Sequence, residues 1–207
     1  MRRQIARSVL TLAVLLIIGA WNVLSTSLAA ADATSGKAYF AGGCFWCMEE
    51  VFEKVEGVLS ATSGYMGGTV SNPTYEEVSA GRTGHTESVE VVYDPAKVSY
   101  QKLLDAFWHN VDPITANAQF CDHGSQYRSA IFFRTDEEKR ASDSSKQSIE
   151  QSRRFKEPIV TQIVMAQQFY PAEEYHQDFY KKNPIRYKLY KYNCGRAQRL
   201  EELWGKP

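Results

Sequence analysis

Apolar residues recur along the chain at two spacings, one typical of strands and the other typical of helices. Residues 37–41 predict a short strand that runs into Gly42 and Gly43. Beyond Cys44 the apolar positions follow helical spacing, while charged residues fill the other face. Those apolar positions are Phe45, Met48, Val51, Phe52 and Val55. Cys44 is therefore predicted to lie where a strand turns into a helix.

The remaining elements mix strands and helices without an internal repeat. Alternation is strongest at residues 86–93, which predicts a strand. Thr74 with Glu77 three positions later has the pattern of a capping box at the start of a short helix. Residues 111–127 have no clear period and predict a long loop. Further strands are predicted at 58–66, 128–134 and 159–166, and further helices at 99–109, 136–155 and 171–182.

This order of elements favours an α+β fold with a mixed, mostly antiparallel sheet and flanking helices. The tail from residue 183 onward is rich in Tyr and Lys and is predicted to be irregular. The chain has 207 residues, enough for one domain of ordinary size. We therefore expect a single domain over residues 37–207.

The first 31 residues have a composition of their own. Three arginines come first, an apolar run covers residues 9–18, and small residues end in an A-x-A pattern at Ala29 to Ala31. This order is typical of a secretory signal peptide. Extension of the apolar run to Leu24 leaves an uncleaved membrane anchor as the alternative. We expect an exported protein, in the bacterial periplasm or anchored to the membrane.

Charge and cysteine content narrow the function further. The chain carries 24 basic and 24 acidic residues, and loss of the three leader arginines leaves a net charge of −3. Non-specific nucleic-acid binding is therefore not expected. All four cysteines follow the leader. An even count in an exported chain suggests disulfides, but a domain of this size folds without them, so redox chemistry remains an alternative.

Cys44 and Cys47 form a C-x-x-C pair at the predicted helix start, the arrangement of thioredoxin-type redox sites. A helix N-terminus presents unpaired N–H groups that stabilise a thiolate, which favours Cys44 as a nucleophile. The alternative is an inert, buried cysteine. Phe45 and Trp46 between the thiols are typical of the walls of an apolar pocket, or alternatively of core packing.

Glu87 is the candidate general acid. On the strand predicted at residues 86–93 it shares a face with Val89 and Val91, so its carboxyl points toward the apolar side. A buried carboxyl without a cation has a raised pKa and holds its proton near neutrality. The alternative is that Glu87 reaches solvent or pairs with Arg82.

Residues 120–128, F-C-D-H-G-S-Q-Y-R, form a polar, glycine-containing loop before a strand. Such loops commonly carry functional groups, although Asp122 is equally typical of an Asx turn. A zinc site is a further alternative, but its ligands lack the second cysteine pair usual in such modules. The candidate ligands are Cys44, Cys47, Cys121, His123 and Cys194. A thioredoxin-like disulfide exchanger is a third alternative, although that chemistry needs no acid such as Glu87.

Six stretches together resemble one family. They read G-C-F-W-C, N-P-T-Y-E-E-V, G-H-T-E-S-V-E-V, F-C-D-H-G-S-Q-Y-R-S, A-E-E-Y-H-Q-D-F-Y and C-G-R-A-Q-R-L-E-E-L-W-G. In order and spacing they are similar to the peptide methionine sulfoxide reductase A family, over residues 38–204. The resemblance implies reduction of methionine-(S)-sulfoxide, free or in oxidised proteins, on a ferredoxin-like α+β core.

The resemblance also implies roles for individual residues. Cys44 is implied as the nucleophile that attacks the sulfoxide sulfur, and Glu87 as the acid that serves the sulfoxide oxygen. Phe45 and Trp46 would hold the S-methyl group. Two tyrosines and one aspartate complete the implied site; Tyr75 and Tyr127 would hold the sulfoxide oxygen, and Asp122 would orient the substrate backbone.

Attack by Cys44 would leave a sulfenic acid, which a second thiol converts to a disulfide. Cys194 in the tail is our first choice for that thiol and Cys47 is second. Cys121 would either relay to the reductant or be a bystander. The resemblance implies no metal and no organic cofactor, and an external dithiol such as thioredoxin as reductant. The expected partners are oxidised proteins and peptides, and we expect a monomer that repairs exported proteins.

Overall fold

The computed structural model describes residues 35–206, so the predicted signal peptide at 1–31 lies outside the described residues. The strands are β1 (Gly36–Gly42), β2 (Val58–Met66), β3 (Thr86–Tyr93), β4 (Ala118–Gln119), β5 (Asp122–His123), β6 (Ser129–Phe133), β7 (Gln162–Met165) and β8 (Tyr170–Pro171). The helices are α1 (Phe45–Glu53), α2 (Tyr75–Ser79), α3 (Tyr100–Trp108), α4 (Asp136–Gln151), α5 (Phe179–Lys182), α6 (Pro184–Asn193) and α7 (Arg196–Trp204).

One six-stranded sheet, in the order β7-β6-β1-β3-β2-β8, organises these elements. All its pairings are antiparallel except β6 with β7. The inner strands β6-β1-β3-β2, with α1 after β1 and α3 after β3, have the order of a ferredoxin-like β-α-β-β-α-β unit. The predicted α+β class and mostly antiparallel sheet are confirmed, and the topology agrees with the ferredoxin-like core.

The main hydrophobic core lies between the sheet and the helices α1 and α3. Phe40 of β1 stacks on Phe52 of α1, with ring centroids 4.8 Å apart, and on Phe107 of α3 at 5.4 Å. All three side chains are fully buried. This packing fixes α1 on the sheet directly after β1, because aromatic pairs contribute about 0.5–1.5 kcal/mol beyond the area that they bury.

The turn between β1 and α1 depends on a glycine. Gly43 has φ +79°, and a Cβ added there would lie 2.4 Å from Cβ of Gln119. Only glycine combines that conformation with so close an approach. The turn therefore places Cys44 at the N-cap of α1, where the sequence predicted a strand to turn into a helix.

Several predicted boundaries are confirmed. The strands β2 and β3 match residue for residue. The capping box is present, since Glu77 N–H donates to the Thr74 side chain and Thr74 N–H donates to the Glu77 carboxylate at 2.9 Å. The predicted loop at 111–127 contains a short hairpin, β4 with β5, followed by a 3-10 turn at Ser125–Tyr127.

The helix predicted at residues 171–182 was wrong. Tyr170 and Pro171 extend the sheet beside β2, and Ala172 N–H continues this edge by donating to Ser63 O. Proline is tolerated at such an edge because it has no N–H to offer the ladder. Asp178 then has φ +55°, and the short helix α5 begins directly after it.

The prediction of an irregular C-terminal tail was also wrong, because α6 and α7 occupy it. Pro184 starts α6 at the first helical position, where its missing N–H costs nothing. The buried side chains of these two helices include a tyrosine and an arginine, Tyr187 and Arg196. Among residues 35–206, no helix is long and apolar enough to cross a membrane.

Candidate active site

A small cavity of about 60 Å³ brings together residues from α1, α2, β3, the loop at 120–127 and α6. Seven of the nine site residues predicted from the sequence line it, together with one that was not predicted, Tyr190. The lining residues are Cys44, Phe45, Trp46, Tyr75, Glu87, Asp122, Tyr127 and Tyr190. The fold therefore gathers into one place side chains that are up to 146 positions apart in the chain.

Glu87 points into the protein, as the alternation of β3 predicted. Its side chain is buried, and Oε2 accepts a hydrogen bond of 2.9 Å from the backbone N–H of Phe45. Burial raises the pKa of Glu87 to about 8, because the charged carboxylate loses its hydration while this one donor compensates only in part. Arg82 is exposed, and within the described residues Glu87 forms no salt bridge.

Cys44 and Cys47 are free thiols, both buried, at the first turn of α1. The two cysteines pack in one cluster and lie within hydrogen-bonding reach of each other. Burial raises the pKa of Cys44 well above its usual value, whereas the hydrogen bond from Cys44, together with the charge of Arg196, lowers the pKa of Cys47 to about 6. The pair thus shares one proton at neutral pH, with the negative charge on Cys47.

The sequence placed Cys44 correctly, but the thiolate stabilisation expected there is different. The Cys44 side chain receives no capping hydrogen bond from α1. The N–H of Phe45 donates instead to Glu87, and the next donors, from Cys47 and Met48, go to the Cys44 carbonyl. The N–H groups at the start of α1 therefore donate to the Glu87 carboxyl and to the Cys44 carbonyl. The thiolate forms one turn later, at Cys47.

Trp46 is held by two residues that sequence reasoning did not select. Its ring stacks on Phe179 with centroids 3.8 Å apart, and its indole N–H donates to His176 Nδ1 at 3.1 Å. His176 is buried, packs against Phe45 and Tyr75, and has a pKa lowered by burial. A neutral imidazole that accepts at Nδ1 carries its proton on Nε2. The apolar wall made by Phe45 and Trp46 is therefore rigid.

One face of α6 closes the site and was missed because the tail was predicted to be irregular. Tyr187 donates to Glu50 and packs against Cys47, within hydrogen-bonding reach of its sulfur. Tyr190 lies within hydrogen-bonding reach of Cys44 and donates to Asp122 Oδ2. The spacing of three between these tyrosines, on a helix that buries one side, was the signal available in the sequence.

Tyr75 and Tyr127 line the same cavity. Burial, with the nearby Glu87 charge, raises the pKa of Tyr75 to about 12 and raises that of Tyr127 as well. Both hydroxyls therefore remain protonated donors at neutral pH. Asp122 also has a raised pKa because it is largely buried, although Tyr190 and Arg196 oppose this shift.

Cys194, our first choice to react with Cys44, lies in a disulfide with Cys121, 73 positions away. Cys121 is exposed and Cys194 is half-buried, and neither lines the cavity. Cys47 is the free thiol next to Cys44. The disulfide also engages two of the five candidate ligands of the zinc alternative, Cys121 and Cys194.

The chain is similar to known proteins both in sequence and in structure. A family model described as "Peptide methionine sulfoxide reductase" matches residues 36–207. A Listeria welshimeri protein, "Peptide methionine sulfoxide reductase MsrA", is 50% identical over 168 residues, 81% of this chain and 95% of its own. Reduced Saccharomyces cerevisiae Mxr1 has a TM-score of 0.70 at 30% identity, covering 77% of this chain and 92% of that chain. The same yeast protein in complex with Trx2 gives 0.51 at 22% identity, covering 74% and 91%.

Proposed function

This chain belongs to the peptide methionine sulfoxide reductase family, and we propose from that premise how its residues divide the reduction of methionine sulfoxide among them. The observation that carries the proposal is that a buried carboxyl, Glu87, and a buried thiol, Cys44, line one small cavity with an apolar wall. Such a cavity combines a nucleophile and an acid with a pocket for a methyl group.

The substrate side chain enters with its S-methyl group against Phe45 and Trp46. Tyr75 and Tyr127 donate hydrogen bonds to the sulfoxide oxygen, since both hydroxyls stay protonated. Asp122 receives the substrate backbone N–H. A cavity that holds the methyl group and the oxygen on separate side chains distinguishes the two epimers at sulfur, and the family membership favours the S epimer as the substrate.

Proton positions set the course of the reaction. Cys44 passes its proton to the neighbouring Cys47 thiolate as its sulfur attacks the sulfoxide sulfur. Glu87 gives its proton to the sulfoxide oxygen, because a protonated oxygen is released from sulfur far more easily. The protonated oxygen then moves from the substrate sulfur to the Cys44 sulfur, the bond between the two sulfurs breaks, methionine leaves, and Cys44 becomes a sulfenic acid.

Cys47 is the thiol that resolves this intermediate. It attacks the Cys44 sulfur, a disulfide between Cys44 and Cys47 forms, and the oxygen leaves as water. The atoms balance: the protons first held by Cys44 and Glu87 leave in that water, and Glu87 regains a proton from solvent. Cys47 is favoured over Cys194 because it already contacts Cys44, whereas Cys194 is bonded to Cys121.

An external dithiol of the thioredoxin class supplies the two electrons that regenerate the thiols. The yeast relative described in complex with Trx2 supports a reductant of this kind. No organic cofactor or metal is needed, because the thiols carry every electron that the sulfoxide accepts.

The chain is further proposed to act as an exported monomer that repairs oxidised proteins. The leader pattern of residues 1–31 supports export, and an uncleaved anchor is the alternative arrangement. The site needs no second chain, since one chain supplies all its lining residues. Cell fractionation with mass analysis of the N-terminus tests the export of the chain. Light scattering of the purified chain tests whether it is a monomer.

Single-turnover chemistry tests the assignment of the thiols. Chain isolated without reductant, with the Cys121–Cys194 disulfide intact, is mixed with a blocked methionine sulfoxide. The wild type should form methionine and lose both remaining thiols, Cys44→Ser should form none, and Cys47→Ser should form methionine but keep a sulfenic acid that dimedone traps. Methionine formation by Cys44→Ser would overturn the assignment of the nucleophile.

A further inference from the structure

Arg196, the first residue of α7, has a buried side chain, with only 3% of the residue exposed. Its guanidinium donates a hydrogen bond of 2.5 Å to the carbonyl of Asn110, two residues after α3. The same group lies 3.2 Å from the thioether sulfur of Met48, and its Cζ lies 4.3 Å from the centroid of the Phe120 ring. The cation is therefore enclosed by α1, by the end of α3 and by the loop at 120–127.

None of these three contacts carries a negative charge. Among residues 35–206, Arg196 forms no salt bridge, whereas Arg134 pairs with Glu138 and Arg199 pairs with Asp112. A charge that is removed from water is strongly unfavourable unless an opposite charge compensates it. The burial of Arg196 is therefore best explained by an anion that is not a salt-bridged carboxylate.

The thiol pair supplies such an anion. Met48, which the guanidinium touches, directly follows Cys47 in α1. Cys47 is itself buried, in a cluster with Cys44. After its hydrogen bond with Cys44, the positive charge of Arg196 is the next influence that lowers the pKa of Cys47. The position of the cation and the location of the thiolate therefore agree.

The other groups that face Cys47 do not replace this cation. Lys191 of α6 is already paired with a carboxylate of α1 at 2.5 Å, and the Tyr187 hydroxyl donates to the same carboxylate. Glu87 of β3 keeps its proton up to about pH 8 and is neutral beside the thiols. Among these groups, Arg196 is the cation whose charge no carboxylate already balances.

We propose that Arg196 is a positioning residue of the reductase reaction, whose buried guanidinium holds the negative charge on the Cys47 sulfur and prepares that sulfur to attack the Cys44 sulfenic acid. The proposal rests on the function argued above, and it gives Arg196 no contact with the substrate. Two explanations compete with it. The cation could serve Asp122 instead, whose pKa it also lowers, or it could only pack α7 against Phe120.

The effect of this charge falls on the proton that Cys47 exchanges. During the first step Cys47 takes the proton of Cys44 and becomes a neutral thiol. It then gives that proton to the departing hydroxyl of the sulfenic acid, the sulfur–oxygen bond breaks, and the sulfur–sulfur bond forms with release of water. A nearby cation favours the thiolate over the thiol, so the second deprotonation is faster with Arg196 in place.

Titration of the thiols tests the proposal most directly. The chain is isolated with its Cys121–Cys194 disulfide intact, so that Cys44 and Cys47 are the thiols that titrate. In Arg196→Gln, thiolate absorbance should show a pKa raised by about one unit, the usual effect of the loss of a neighbouring opposite charge. Arg196→Lys keeps the charge and should recover most of this shift.

A single turnover of blocked methionine sulfoxide supplies the kinetic measurement. In Arg196→Gln the sulfenic acid on Cys44, trapped with dimedone, should persist about tenfold longer relative to methionine formation, matching a one-unit change in pKa. The matched control is Arg199→Gln, in the same helix, because Arg199 already pairs with Asp112. That control should leave both the titration and the lifetime unchanged.

The variant Arg196→citrulline keeps the planar shape and the N–H donors but removes the charge, which makes the test independent of packing. It is prepared by ligation of a synthetic C-terminal peptide at Cys194. An unchanged thiolate titration and sulfenic acid lifetime in this variant would overturn the proposal. A raised KM with both unchanged would assign the cation to Asp122, and lower stability alone would assign it to packing. No methionine from the wild type would instead contradict the proposed function itself.

Discussion

The backbone N–H of Phe45 donates its hydrogen bond to Glu87 and not to the neighbouring thiol of Cys44. The first free donor of α1 therefore orients the acid, at a distance of 2.9 Å, while the adjacent cysteine keeps its proton. Both reacting groups begin protonated in a buried site, and the negative charge rests on Cys47. This distribution of protons has consequences that solution measurements can check.

The first prediction concerns the pH dependence of kcat/KM. Activity should fall below about pH 6, where Cys47 loses its charge, and above about pH 8, where Glu87 loses its proton. Glu87→Gln should lower kcat/KM by roughly 10²–10⁴-fold, the usual contribution of a general acid, and should abolish the alkaline limb. Glu90→Gln, on the same strand but outside the cavity, is the control. An unchanged alkaline limb in Glu87→Gln would count against the acid.

The second prediction concerns stability. Folded Glu87 keeps its proton up to about pH 8, whereas an unfolded glutamate loses its proton near pH 4.3. The folded state binds more protons between these values, so the free energy of unfolding should fall as pH rises, by up to about 1.4 kcal/mol per pH unit from this group. Denaturant titrations across this range should show a shallower slope for Glu87→Gln; equal slopes would contradict the buried neutral carboxyl.

The third prediction concerns the Cys47 thiolate. Tyr187→Phe removes a hydroxyl that lies within hydrogen-bonding reach of Cys47, so the pKa of Cys47 should rise. Ultraviolet absorbance of the thiolate during a pH titration measures this change directly. Tyr192→Phe, at an exposed position of the same helix, should leave the titration unaltered. A wild-type titration curve from Tyr187→Phe would show that the hydroxyl does not stabilise the thiolate.

The fourth prediction concerns the support of Trp46. His176→Leu leaves the indole N–H without its acceptor, which should cost about 1–3 kcal/mol of unfolding free energy and raise KM more than it lowers kcat. His176→Gln offers a carbonyl oxygen and should recover part of both losses. Chemical denaturation and steady-state kinetics on the two variants measure these effects. Equal KM values for wild type and His176→Leu would argue against a positioning role.

Much of the fold follows from local patterns in the sequence. The alternation of β3 and the capping box at Thr74 are local effects, and both appear in the structure at the predicted positions. The positions of Glu87 and Cys44 could also be predicted. Glu87 lies on the apolar face of one strand, and Cys44 lies at the start of one helix. Local periodicity was informative wherever apolar side chains form the buried face.

The structure of the C-terminal segment, residues 170–206, was harder to predict because its buried face is polar. In α6 and α7 the buried side chains include Tyr187 and Arg196, which hydropathy does not distinguish from surface residues. The stretch before α5 depends on pairing with the distant edge of β2, which no local pattern encodes. Cys121 and Cys194 are brought together by the same tertiary contacts, so their pairing could not be predicted from spacing.

The most direct measurement of the central claim is the reduction of each sulfur epimer of a blocked methionine sulfoxide by the chain, with dithiothreitol as reductant. Turnover of the S epimer alone, lost in Cys44→Ser while the circular dichroism spectrum is retained, is the predicted result. Turnover of the R epimer, or activity that survives Cys44→Ser, would contradict the site built from Cys44, Glu87 and the Phe45–Trp46 wall.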